Sequence, residues 1–235
     1  MGLSTDQIQR AVLTLIAFVV SVSVHEFGHA FVADRLGDRL PRTQGRVTLS
    51  PLAHIDLLGT IILPLAGALL PGGYPLIAWG KPVQTNPRNY SAKVSPRVGH
   101  MIVSLAGPAM NLVLAVGVSI VFLLLGKSGH LSPSVASVLV RYFLALNIVL
   151  MFFNLIPLPP LDGAAVLSGF LPERLQFIPR TLQRYGTVLF FVLFLSGFLG
   201  VVMRPAYHLV NVWADALQRI AVPGVVSGVV SGVVS

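Results

Sequence analysis

The chain has no cysteine among its 235 residues. That excludes a disulfide framework and removes thiolates from the choice of metal ligands, leaving His, Asp and Glu. Acids are scarce too. Asp and Glu number 8 against 16 Lys and Arg, and only Glu26 and Glu173 are glutamates. Charged residues make up 10% of the chain, where a soluble domain carries about 25%. With 54% hydrophobic residues and a mean hydropathy of +0.82, this excludes an ordinary soluble domain and describes an integral membrane protein. A net charge of +8 could be a nucleic-acid footprint. Here the cations sit in loops between apolar runs, where orientation signals belong, so no nucleic-acid partner is expected. The first run lacks a small-x-small cleavage site after it and is read as a retained span.

Five apolar stretches organise the chain: 8–33, 57–79, 98–126, 134–156 and 185–203. All but the second reach or approach the ~20 residues of a spanning helix. The second is short and carries Pro64, Pro71, Gly72, Gly73 and Pro75. It has room for one crossing or for a dip and return. Segment 34–56 carries Arg35, Arg39, Arg42 and Arg46; segment 80–97 carries Lys81, Arg88, Lys93 and Arg97; segment 157–184 carries Arg174, Arg180 and Arg184. By the positive-inside rule all three should be cytoplasmic. That requires 57–79 to start and end on one side, and it puts the N-terminus outside. The expected fold is an all-α polytopic membrane protein of about four to six transmembrane helices. A re-entrant or short β-like segment would lie between the first and second core helices, tolerated because it lines a protein cavity. Residues 1–222 are expected to form one domain, with a core at 8–170 and C-terminal helices at 182–221. In 205–221, Val210, Trp213, Leu217 and Ile220 share a helical face opposite Asn211, Asp215 and Arg219, the pattern of an interfacial helix. The tail 223–235 repeats Gly-Val-Val-Ser and is assigned no function.

The densest chemistry lies at the end of the first run, in His25-Glu26-Phe27-Gly28-His29. Ionisable side chains at membrane depth are costly and functional by default. Residues four apart share a helix face. His25 and His29 can therefore hold one Zn²⁺, with Glu26 beside them as general base on the metal's water. At this composition a random H-E-x-x-H is expected roughly once in 800 chains, so chance is a poor explanation. A catalytic zinc usually has three protein ligands and an open position. The best third candidate is Asp162, at the end of Asn154-Leu-Ile-Pro157-Leu-Pro-Pro160-Leu161-Asp162-Gly163. Its prolines break the helix and let the carboxylate turn back.

These two motifs, in this order and both in apolar runs, resemble those of the site-2 protease family of intramembrane zinc metalloproteases. Gly107-Pro108-Ala-Met-Asn111 looks like that family's central motif. Leu49-Ser-Pro-Leu-Ala-His54-Ile-Asp56-Leu-Leu-Gly59 is similar to a stretch in its short, compact members. The resemblance covers roughly residues 8–170. It implies one Zn²⁺ per chain on His25, His29 and Asp162, with Glu26 as catalytic base. It also implies that Asn154 holds the substrate strand or the developing oxyanion. The implied substrates are transmembrane proteins or peptides, cut within the bilayer, often in regulated intramembrane proteolysis. The implied location is the plasma membrane, with the active site toward the cytoplasm. Two departures stand out. The chain leaves no room for the PDZ or CBS domain that many members carry, and Gly-Ala-Ala follows Asp162 in place of the commoner double glycine.

Each residue also has a plainer reading. Gly107, Pro108 and Asn111 suit close helix packing and a kink, although Asn111 can still touch the site. His54 suits a structural loop role or a place near the zinc. A competing function is a membrane metal-binding protein or metal transporter. Such a protein has no need of Glu26 beside the ligands and would scatter them along a route. A catalytically silent family member is a third reading, disfavoured by the intact motif.

Overall fold

The computed structural model describes residues 4–69 and 78–221. The Gly/Pro-rich residues 71–75 and the repeats after 223 lie outside them. Among the described residues the fold is all helical. The first helix, α1 (Thr5–Arg35), opens on a capping box: Ser4 Oγ accepts from Gln7 N–H, and Gln7 Oε1 accepts from Ser4 N–H. Two otherwise orphaned amide groups are satisfied in this way. A π-helical turn at Leu57–Ile62 leads into the short α2 (Leu63–Leu69). Then follow α3 (Pro96–Lys127), α4 (Pro133–Asn154), α5 (Gly163–Phe170), α6 (Phe177–Leu195), α7 (Phe198–Val202) and α8 (Arg204–Ala221).

Three of these are long and apolar enough to cross a membrane: α1, α3 and α4. They carry the first, third and fourth apolar runs. The fifth run is divided between α6 and α7 at Gly197, whose φ of 75° lies in the left-handed region. Serine and proline set the starts of α3 and α4. Ser95 Oγ accepts from Val98 N–H and Ser132 Oγ accepts from Val135 N–H, with Pro96 and Pro133 in the first turn. Proline there loses no helical hydrogen bond.

α1 and α3 run antiparallel, as shown by the contacts of His29 with Val103 O and of Ser21 O with Asn111. The five-residue turn after Lys127 makes α4 antiparallel to α3. The end of α1, the start of α3 and the end of α4 therefore share one end of the bundle. Arg97 at the start of α3 pairs with Glu173 at 2.6 Å, which adds the segment after α5 to that end. All three basic segments thus lie together.

α8 closes the core. Ala206, Val210, Ala214, Leu217 and Ala221 are buried with Phe122 of α3 and with Val140, Leu144 and Ile148 of α4. Of the apolar face expected at Val210, Trp213, Leu217 and Ile220, Val210 and Leu217 are buried against the bundle and Ile220 is 57% exposed. Alanines serve in its place because the helices approach closely, with Ala221 against Gly126.

The described ends of the second apolar run meet. Trp79 N–H donates to Gly59 O at 3.1 Å, Thr60 Oγ1 donates to Trp79 O at 2.8 Å, and Lys81 N–H donates to His54 O at 2.9 Å. Farther along, Asp38 is fully buried and accepts from Asn86 N–H at 2.6 Å and from Asn89 Nδ2 at 2.9 Å. The loops before and after 57–77 are therefore one hydrogen-bonded layer over the end of α1.

Candidate metal centre

His25 and His29 stand one turn apart on α1, both buried. Asp162 arrives from the loop between α4 and α5. It occupies the N-cap position of α5 yet makes no side-chain cap bond. Aspartate at that position ordinarily accepts from its own helix. Here Oδ2 lies 3.2 Å from His25 Nε2 and 3.3 Å from His29 Nε2, and the two Nε2 atoms are 3.0 Å apart. Ligands at 2.0–2.1 Å from a tetrahedral zinc stand about 3.3 Å from one another. The three donors thus have the size and chemistry of a zinc face, with the fourth position open for water. Among the described residues this is the one group of three or more His, Asp or Glu side chains close enough to hold a metal ion.

Glycine makes room for the imidazoles. A Cβ on Gly107 would collide with both Nε2 atoms, and one on Gly28 would lie 2.7 Å from Ala106 O. α1 and α3 therefore touch backbone to backbone beside the histidines. Gly107 was expected to serve packing or a kink; its position gives the imidazoles their clearance.

The other ring nitrogens are held as well. His29 Nδ1 is 2.7 Å from Val103 O, and His25 Nδ1 is 2.6 Å from Asn111 Oδ1. Such partners orient a ligating imidazole and fix its tautomer. Glu26, next to the cluster on α1, accepts from Val83 N–H at 2.9 Å.

The remaining expected residues lie differently. Asn111 is fully buried in contact with His25. Asn154 is half-buried and its Nδ2 donates to Leu150 O at 3.0 Å, back along its own helix. His54 is fully buried but outside the cluster. Its Nε2 lies 2.9 Å from Thr48 O, and its Nδ1 has no partner among the described residues. Three groups escaped the sequence reading: the Val83 amide, Ser21 and Asn147. Asn147 lies two turns before Asn154, on the same face of α4. That spacing was the available signal.

The match to the peptidase family M50 model spans residues 13–139 and 127–197. The chain belongs to peptidase family M50. It is 32% identical over 210 residues to the "Putative zinc metalloprotease YwhC" of Bacillus subtilis, covering 88% of this chain and 89% of that one. It is also 32% identical over 193 residues to the "Putative zinc metalloprotease Rip2" of Mycolicibacterium smegmatis, covering 80% and 69%. The "Zinc metalloprotease MJ0392" of Methanocaldococcus jannaschii is 23% identical over 204 residues, covering 86% and 47%. No solved structure matches the chain significantly. This M50 protein is an intramembrane zinc metalloprotease, and Zn²⁺ is its cofactor.

Proposed function

We propose that His25, His29 and Asp162 hold the zinc and that Glu26 is the general base of a peptide-bond hydrolysis within the membrane. The observation that carries this reading is the donor triangle, with edges of 3.0–3.3 Å, and the carboxylate of Glu26 beside it. Zinc supplies Lewis-acid activation of the water and of the scissile carbonyl. Glu26 takes the proton of the attacking water and returns one to the leaving amine. The Val83 N–H holds its carboxylate in place until then. Asn154 donates to the oxyanion once its amide exchanges the Leu150 carbonyl for the substrate.

The substrates are transmembrane segments of proteins or peptides. A helix hides its peptide bonds and must unwind to be cut. The chain from Trp79 to Val83 suits an extended partner. Residues 79, 81 and 83 spend their backbone groups on Gly59, His54 and Glu26. Alternation in an extended strand leaves Gly80 and the Pro82 carbonyl on the opposite edge.

Residues 1–222 form one integral membrane domain of the plasma membrane, with 57–79 re-entrant and the basic end cytoplasmic. The hydrogen bonds joining the two flanks of 57–77 support this reading, as do the three basic segments at one end. A further crossing comes from α6 with α7. Val188, Val192 and Leu195 stand exposed on α6, a surface suited to lipid. The enzyme acts in regulated intramembrane proteolysis.

The test is cleavage of single-span substrates in liposomes by wild type and Glu26→Gln, with zinc content measured in both. Cleavage by the wild type alone, with about one zinc in each, is the expected result. Zinc lost from Glu26→Gln, or cleavage retained by it, overturns the role of Glu26. Metal flux without cleavage returns the transporter reading.

A further inference from the structure

We infer that Asn147 is a positioning residue of the metal centre, acting through Asn111 to set the tautomer of His25. The inference rests on the metal assignment above. His25 serves a metal through Nε2 only when its proton sits on Nδ1. That nitrogen faces Asn111 Oδ1 at 2.6 Å. An amide can be turned over, and the reversed Asn111 would offer Nδ2 to His25 and place the proton on the wrong side.

The surroundings forbid the reversal. Asn111 Nδ2 donates to Ser21 O at 3.3 Å and to Asn147 Oδ1 at 2.9 Å. Asn147 is itself fixed, because its Nδ2 donates to Phe143 O at 2.8 Å and to Ser21 Oγ at 2.9 Å. A backbone carbonyl only accepts. Phe143 O therefore sets which way Asn147 faces; Asn147 at 2.9 Å, with Ser21 O at the longer 3.3 Å, sets Asn111, and Asn111 sets the proton of His25. Ser21, Asn111 and Asn147 are all fully buried, so water does not compete for these bonds and a broken link stays unsatisfied. His29 needs no such relay, since its Nδ1 meets Val103 O directly.

The test is zinc affinity, measured by chelator competition in detergent on the full chain, with unfolding of the metal-free protein followed in parallel. Asn147→Leu removes the acceptor facing Asn111. Asn147→Asp keeps that acceptor, and both variants lose the amide donor to Phe143 O and Ser21 Oγ. A purely structural role penalises the two alike. The expected result is about 10–100-fold weaker zinc binding by Asn147→Leu, the range for partners of ligating histidines, with Asn147→Asp within a few-fold of wild type. Equal losses in both, or wild-type affinity in Asn147→Leu, overturn the inference. Where Asn147→Leu does not fold, nitrogen NMR of histidine-labelled, metal-free wild type decides, with the His25 signal assigned by its loss in His25→Ala. A proton on Nδ1 is expected, and an unprotonated Nδ1 refutes the relay. His25→Ala also separates the two readings. Zinc retained by it sinks the metal assignment; zinc lost there but unaffected in Asn147→Leu sinks only the relay.

Discussion

Adding a single methyl group at Gly107 tests how closely the metal centre depends on helix contact. A Cβ there would stand 2.6 Å from His25 Nε2 and closer still to His29 Nε2 and Cε1. Relaxed contacts lie near 3.5 Å, so each imidazole, or the helix carrying it, must retreat by about 1 Å. Overpacking of this kind costs about 1–3 kcal/mol. The displaced atoms are the proposed ligand atoms, so the cost falls on the metal-bound geometry. At 1.4 kcal/mol per tenfold it weakens zinc binding by about 5- to 150-fold. The assay is chelator competition for zinc on Gly107→Ala, with cleavage of a single-span substrate at saturating zinc. Gly117→Ala is the control. It lies on the same helix, and its Cβ would meet nothing within 4 Å. Alanine there should be neutral or stabilising by about 0.5–1 kcal/mol. Wild-type zinc affinity and cleavage in Gly107→Ala would refute the reasoning, as would an equal loss in Gly117→Ala.

Three further outcomes follow from the same geometry. Chelation should abolish cleavage, and added Zn²⁺ should restore it in the wild type but not in Asp162→Ala, whose zinc content should fall well below one per chain. Val83→Pro removes the one amide shown to hold Glu26. A hydrogen bond to a charged group is worth about 1.5–3 kcal/mol, so kcat should drop about tenfold or more with zinc content unchanged, read from single-turnover cleavage. Asp38→Ala leaves Asn86 N–H and Asn89 Nδ2 without their buried acceptor. It should lower stability by about 2–4 kcal/mol, seen as a lower Tm and faster proteolysis between residues 80 and 95.

The grouping of His25, His29 and Asp162 was legible in the sequence for a physical reason. Charge is so rare in the apolar runs that each ionisable side chain there is a signal, and the four-residue spacing on a helix allows one geometry. The break after Asn154 was equally plain, because three prolines end a helix whatever surrounds them. Length and hydropathy read four spanning runs, of which three are long apolar helices and the fifth run is broken at Gly197; α1 begins earlier than its apolar run because Ser4 and Gln7 cap it. Other features depended on contacts between distant segments. The Val83 N–H has no side-chain signature, so its bond to Glu26 was invisible. Asn147 reads as one amide in an apolar helix until Asn111 and Ser21 are brought against it. The alanines of α8 at 206, 214 and 221 carried no hydropathy signal, because hydropathy favours large residues whereas close approach to the bundle selects alanine. Gly107 announced tight packing but not what it makes room for.

On the proposed metal assignment, the place of the histidines along α1 also sets how a substrate would be divided. Arg35 ends that helix at the basic end, six residues past His29 and ten past His25. At 1.5 Å per residue the proposed metal ligands stand about 9–15 Å along α1 from that end, less than the roughly 30 Å thickness of a hydrocarbon layer. A span cut at this depth yields unequal pieces. The shorter would carry about six to ten apolar residues, too few to hold it in the bilayer, and would depart into water on the basic side. The longer keeps the rest and stays embedded. Under the proposed function, release of one product and retention of the other would follow from where two histidines fall on a helix.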